Sequence, residues 1–309
     1  MRLLKHPSVI ANNIHKPKAY NNEFNILSEA IPYIKLYEGQ TMVISFDEAM
    51  LESHEIMQSF AQDLVLLKNA GINPIIVHGA CSNIKIFCDK NNYPIAETDG
   101  VINADTQNID IVEMVALLIN KKIVSYINNN DGLAVGVSGK DARLIEAKKV
   151  RSSTSKKVNN VEIFASSLNG EVLAIHPDLL SCTDESDLIP VIASIGFNDN
   201  HPTLYLNHDS VASMISSSIS ASKVIYLTEE NIFLDDESNV IEEISSVQAK
   251  NAITPKQNLR VKNKIKSAIE AVEGFTESAH FLSSSVEHGL IFEVLSDNRP
   301  GTVIYPCNV

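Results

Sequence analysis

The stretch "GQTMVISFDEAMLESHEIMQSFAQDLVLLKNAGINPIIVHGA", Gly39 to Ala80, decides the fold. Thr41 to Phe46 is a short β-type run that is apolar on both faces, and Ile72 to His78 is a second. Between them, Ser53 to Ala70 places Ile56, Phe60, Leu64 and Leu67 on one face of a helix, with Gly71 where a helix C-terminus favours glycine. Strand, helix and strand in this order, with strands buried on both faces, predict a parallel sheet covered by helices. The turn after the first strand is less ordinary. A strand-to-helix turn that holds phosphate needs glycines and a cation, because backbone N–H groups and a positive charge must meet several anionic oxygens. Here Asp47 and Glu48 stand in that turn.

The alternation continues outward from this unit. A helix is expected over Ile109 to Ile127, a strand over Leu133 to Val137, short β-rich segments over Val161 to Ile175, and a buried strand over Ile189 to Ile195. Then follow Thr203 to Leu206, a helix over Asp209 to Ser222, a strand over Val224 to Leu227 and a helix over Arg260 to Val272. A strand over Ala279 to Leu282, a helix over Val286 to Leu295 and a last strand over Thr302 to Tyr305 close the chain. No internal repeat interrupts the pattern. Residues 1–23 are rich in Asn and Lys, hold two prolines and lack sustained periodicity, so they read as an extension ahead of the fold.

Composition narrows the function classes. The chain has 309 residues, 44% of them apolar, enough for a substantial core. A formal net charge of −13 with scattered lysines argues against nucleic acid and against an anionic membrane surface. The apolar runs are too short to span a bilayer and the N-terminus lacks a secretory core, so a cytoplasmic location is expected. Cys81, Cys88, Cys182 and Cys307 form no CxxC pair and no zinc-like spacing with histidine. No metal site is expected from them, and idle thiols in a reduced compartment are.

The segments "FAQDLVLLKNAGINPIIVHG", "AVGVSGKDARLI", "LIPVIASIG", "NHDSVASMI", "KVIYLTEENIFLDDESNVI" and "RPGTVI", in this order, resemble the N-acetylglutamate kinases of the amino-acid kinase family. The resemblance runs from about Phe24 to Ile304. It implies a three-layer α/β/α sandwich on a mainly parallel sheet, with an extension over 1–23, an N-terminal lobe over 24–218 for the acyl amino acid and the dimer face, and a C-terminal nucleotide lobe over 219–309. The chemistry it implies is transfer of the γ-phosphoryl group of MgATP to a carboxylate, which depends on positioning and on groups that neutralise developing charge.

Carried over position by position, the resemblance breaks at the site. The family's catalytic lysine at the end of the first strand falls on Ser45, and the glycines after it on Asp47 and Glu48. The His-Gly-Gly-Gly turn becomes His78, Gly79, Ala80 and Cys81. The arginine that grips the substrate's α-carboxylate falls on Ile102, within Gly100 to Asn103. In the Asn-x-Asn-x-Asp element the first Asn becomes Tyr205, while Asn207 and Asp209 remain. The late catalytic lysine aligns with Lys264, its two preceding glycines replaced by Leu259 and Arg260. The nucleotide-side Thr-Asp becomes Thr228 and Glu229. His280 and Glu293 fall on positions that form an effector site in arginine-inhibited relatives, with Arg299 in place of a glycine.

A carboxylate about 4 Å from a phosphate oxygen costs on the order of 4 kcal/mol at an effective dielectric near 20. That is roughly a thousandfold in affinity. Each retained residue also has a plainer reading: Asp209 as a helix N-cap, Lys264 as solvated charge beside Lys262 and Lys266, Ser138 to Asp141 as a loop, Cys81 as an idle thiol. Two functions therefore stay open. One is a non-catalytic, acetylglutamate kinase-like subunit that regulates or scaffolds a partner such as an active paralogue. The other is an active, divergent ATP-dependent carboxylate kinase that uses Mg and ATP; without activity no cofactor is expected. A binding module for an uncharged or cationic ligand is a third. A homodimer is expected on the family's apolar face, with a hexamer if the extension joins dimers.

Overall fold

The computed structural model describes residues 22–98, 101–150, 155–158, 161–164, 167–235, 237–255 and 257–307. In chain order the elements are α1 (Asn22–Tyr37), β1 (Thr41–Phe46), α2 (His54–Asn69), β2 (Asn73–His78), α3 (Cys81–Asn91), β3 (Ala96–Thr98), β4 (Val101–Asn103) and α4 (Ile109–Asn128). Then come β5 (Ala134–Ser138), β6 (Ile145–Lys149), β7 (Ser155–Val158), β8 (Val161–Phe164), β9 (Asn169–Ile175), α5 (Asp178–Glu185), β10 (Ile189–Ala193), β11 (Ile195–Asn198) and β12 (His201–Leu206). The last are α6 (His208–Ser218), β13 (Lys223–Thr228), β14 (Glu243–Ser245), α7 (Ser246–Asn251), α8 (Leu259–Glu273), β15 (Ser278–Ser283), α9 (Gly289–Leu295) and β16 (Thr302–Tyr305).

Eight strands form one sheet in the order β14-β16-β15-β13-β1-β2-β10-β5, and every pairing is parallel except β15 with β16. The central strands are buried along nearly their whole length, as expected for a sheet covered on both faces. The boundary expected between residues 218 and 219 coincides with the end of α6, and strands from both sides of it share this one sheet. A small four-stranded closed sheet, β11-β12-β9-β6, grows out of β10. Ser194 makes the junction, bonding through its N–H and its Oγ to the carbonyl of His78, at 3.2 and 2.8 Å.

Local chemistry sets the helix ends. Ser53 caps α2 by accepting from Ile56 N–H at 3.3 Å, and Gly71 takes φ +79° just beyond the helix. Asn207 and Asn258 cap α6 and α8 in the same way, accepting from Ser210 and Val261 at 2.9 and 2.8 Å.

Some boundaries differ from the sequence reading. The helix expected to reach Ser222 ends at Ser218, whose hydroxyl bonds back to the Met214 carbonyl, and Ser220 turns the chain at φ +51°. The helix expected from Val286 starts at Gly289, because His288 stands ahead of it in a left-handed conformation, its N–H held by Ser59 Oγ at 2.8 Å. The region read as an extension up to residue 23 gives way to α1 from Asn22, and residues 1–21 lie outside the described residues. The Tyr33 hydroxyl of α1 donates to Asp297, which fastens this helix to the C-terminal part of the chain.

Candidate functional site

Parallel strands β1, β2 and β13 end on the same edge of the sheet, so Ser45, His78 and Thr228 arrive there together with the N-termini of α3 and α6. A cleft of 710 Å³ opens at this edge. Asp47, Cys81, Tyr205, Asn207, His208 and Asp209 line one part of it, and Thr228, Glu229, Glu230, Arg260 and Lys264 another. The N-terminal part of α8 lines the cleft with Leu259, Arg260, Val261, Asn263 and Lys264.

Asp209 is the focus of the polar contacts. Its Oδ1 accepts from Ser45 Oγ at 2.7 Å and from Lys264 Nζ at 2.8 Å, and His208 Nε2 lies 3.5 Å from the same oxygen. Lys264 Nζ also donates to the Leu227 carbonyl at 3.2 Å. Burial pushes the Asp209 pKa up, but the charges of His208 and Lys264 and the bonds from Lys264 and Ser45 outweigh it and hold the carboxyl at about 2. The reading of Lys264 as solvated charge is thereby corrected: its side chain is 7% exposed and paired with Asp209. The reading of Asp209 as the helix cap is corrected as well, since Asn207 supplies that cap.

The acidic turn divides between two environments. Asp47 faces the cleft and caps a 3₁₀ turn over Glu48–Glu52, accepting from Ala49 N–H at 3.1 Å. Glu48 turns inward and is 2% exposed. Its Oε1 accepts from Ser82 N–H in the first turn of α3 and lies 3.4 Å from Arg260 Nη2, while its Oε2 is buried without a partner. Burial raises the Glu48 pKa, and the Ser82 bonds and the Arg260 charge pull it back. Arg260 remains charged because the fields of Glu48 and Asp47 outweigh its desolvation. Two residues standing where family glycines were expected, Glu48 and Arg260, thus meet each other across the cleft wall.

The remaining candidates fall into three settings. Tyr205 is buried at the end of β12 with its hydroxyl 3.3 Å from Cys81 Sγ; burial drives both groups toward their neutral forms. Ile102 is 1% exposed and packs in the hydrophobic core, while its neighbour Val101 lines the cleft; Gly100 lies outside the described residues. Thr228 bonds through Oγ1 to the Leu282 carbonyl at 3.3 Å, and Glu229 is exposed at the cleft. Gly79 is constrained by contact: a Cβ there would stand 2.6 Å from His208 Nδ1. The Ser138 to Asp141 segment closes a turn on itself, Asp141 accepting from Ser138 N–H at 2.7 Å. His280, Glu293 and Lys223 form a separate buried chain, with His280 Nδ1 2.6 Å from Glu293 Oε1 and Nε2 3.1 Å from Lys223 Nζ. Arg299 reaches instead to Glu243 at 2.7 Å.

His208 is the functional candidate that the sequence reading missed. Its position between Asn207 and Asp209, one step from a capped helix start, was the available signal. Among the described residues no cluster of three or more His, Cys, Asp or Glu side chains could hold a metal ion.

The cleft with its buried Asp209–Lys264 pair thus lies at the strand ends of a mainly parallel sheet covered by helices, an α/β architecture. The chain belongs to the amino acid kinase family, whose sequence model matches residues 40–283. It is 37% identical to the acetylglutamate kinase of Ehrlichia canis over 92% of its own length and 89% of that protein's. With the acetylglutamate kinase of Stutzerimonas stutzeri it shares 36% identity over 90% of its length and 94% of that protein's. Among solved structures, N-acetylglutamate synthase of Neisseria gonorrhoeae in complex with coenzyme A and N-acetyl-glutamate superposes with a TM-score of 0.80 at 20% identity, covering 94% of this chain and 65% of that one. Carbamate kinase of Giardia lamblia bound to AMP-PNP follows the same fold with a TM-score of 0.60 at 10% identity, over 87% of this chain and 99% of that one. The protein is thus acetylglutamate kinase-like over most of its length.

Proposed function

We propose that this acetylglutamate kinase-like protein binds MgATP weakly, does not phosphorylate acetylglutamate, and acts as a non-catalytic, regulatory or scaffolding kinase-fold subunit in the cytoplasm. The observation that carries this reading is the Glu48 contact. A carboxylate of the chain itself occupies the Ser82 N–H at the start of α3 and engages Arg260, so two groups suited to an incoming phosphate are already satisfied by an internal anion. Ser45 brings no charge to the end of β1, and Asp47 adds a negative one at the cleft. These residues do not fit a triphosphate, which needs an excess of cations and free N–H donors. On the substrate side, Ile102 is in the core and Tyr205 fills its position, so neither offers an α-carboxylate a cationic partner. Association then becomes the retained property, with a homodimer on the family's apolar face.

One observation favours a second reading, an active divergent carboxylate kinase: Lys264 is held, buried, on Asp209 beside the cleft. Calorimetric titration with MgATP, together with an acetylglutamate phosphorylation assay, separates the two. Millimolar or absent nucleotide binding with no acyl phosphate formed fits the first. Micromolar affinity with turnover overturns it.

A further inference from the structure

We propose that His208 couples the binding of a phosphate-type dianion in the cleft to the uptake of one proton. The inference rests on the cleft being the ligand site, but not on whether phosphoryl transfer occurs there.

Charge balance is the first support. The cleft is lined by the carboxylates of Asp47, Asp209, Glu229 and Glu230 against the cations of Arg260 and Lys264. Lys264 is committed to Asp209 and Arg260 leans on Glu48, so a dianion entering the cleft finds little uncommitted positive charge. The second support is geometric. His208 lines the cleft and its Nε2 is buried without a hydrogen-bond partner, 3.5 Å from Asp209 Oδ1. A ring nitrogen left unpaired in this way is a place for a proton, which Asp209 Oδ1 beside it and an anion in the cleft would both stabilise. Gly79 provides the bare backbone against which the ring rests, since any Cβ there would strike it. The imidazole is therefore fixed at the cleft wall, next to the position where Ser45 brings no charge.

The groups facing this ring explain why the proton is conditional. Asp209 on its own helix and Asp47 from the turn after β1 favour the imidazolium; Lys264 and Arg260 on α8 oppose it, and it shares a repulsive field with His78 at the end of β2. Desolvation is larger than all of these and lowers the His208 pKa, which leaves the ring neutral near pH 7. A dianion in the cleft adds to the favouring side. By linkage, whatever raises the proton affinity of His208 on binding must raise the dianion affinity on protonation by the same factor.

Sulfate is a suitable probe because it does not itself titrate between pH 5 and pH 8. The full chain is titrated by NMR, following the His208 imidazole resonance against pH in 50 mM sulfate and in chloride of equal ionic strength. The resonance should titrate about 1 pH higher in sulfate. Sulfate should bind about three- to sixfold more tightly at pH 5.5 than at pH 7.5, and His208→Asn should shrink that ratio to less than about twofold. A His208 titration that is the same in both salts overturns the proposal, as does an undiminished pH dependence in the variant or a complete lack of sulfate binding. None of these outcomes bears on phosphorylation of acetylglutamate, which the separate enzyme assay reads.

Discussion

Replacing Lys264 by methionine is expected to destabilise the protein by about 3–5 kcal/mol, the range found when one partner of a buried ion pair is removed. The pair is 2.8 Å apart with side chains 7% and 4% exposed, so solvent screens it little. Coulomb's law at an effective dielectric near 20 gives a gross attraction of about 6 kcal/mol at this distance, an upper bound because both charges were desolvated to make it. Methionine keeps most of the packing volume, so the loss isolates the charge, together with the bond to the Leu227 carbonyl. Asp209 would keep Ser45 as its hydrogen-bond donor, which a neutral side chain at 209 could use equally well. The double variant Asp209→Asn/Lys264→Met should therefore recover about 2 kcal/mol or more of the cost of the single lysine change. Urea denaturation of wild type, both single variants and the double closes the cycle. A Lys264→Met cost below about 1 kcal/mol, or additive single effects, would mean that the pair is not buried as described.

The same carboxylate makes stability pH-dependent. Its folded pKa of about 2 lies below the ordinary carboxyl value of 3.8, so its contribution is present above pH 4 and lost as pH falls toward 2. Denaturant midpoints for Asp209→Asn should flatten in that window relative to wild type. Ser45→Lys combined with Asp47→Gly and Glu48→Gly should raise ATP affinity about a hundredfold, since it frees Ser82 N–H and Arg260 and restores a cation. Calorimetry reads this, and acetylglutamate phosphorylation should still stay at background because Ile102 and Tyr205 are unchanged; turnover well above background would refute that assignment. Light scattering at micromolar concentration should give the mass of a dimer, and a monomer would count against the scaffolding role.

The order of strands and helices was legible because parallel strands buried on both faces write themselves as unbroken apolar runs, and surface helices as a 3.6-residue period. Thr41–Phe46, Asn73–His78 and Lys223–Thr228 carried that signal strongly. α3 did not, since Cys81–Asn91 buries only Ile84 and Cys88, while Ile86 is exposed and Phe87 only partly buried. Neither did the start of α9, where Ser59 and Asp63 on α2 hold the His288 backbone and ring from 225 or more residues away. At the site, sequence alone determined which charges are present: a serine for a lysine, acids for glycines, one retained aspartate and one retained lysine. Tertiary structure decided where those charges point. Glu48 and Asp47 are adjacent in the chain, yet one turns into the wall to meet Ser82 and Arg260 while the other faces the cleft, and Lys264 leaves a basic helix to reach a buried carboxylate 55 positions away. A sequence fixes the identity of each side chain, but the energy of a charge depends on its distance to other charges and to water, and only the folded chain sets those distances.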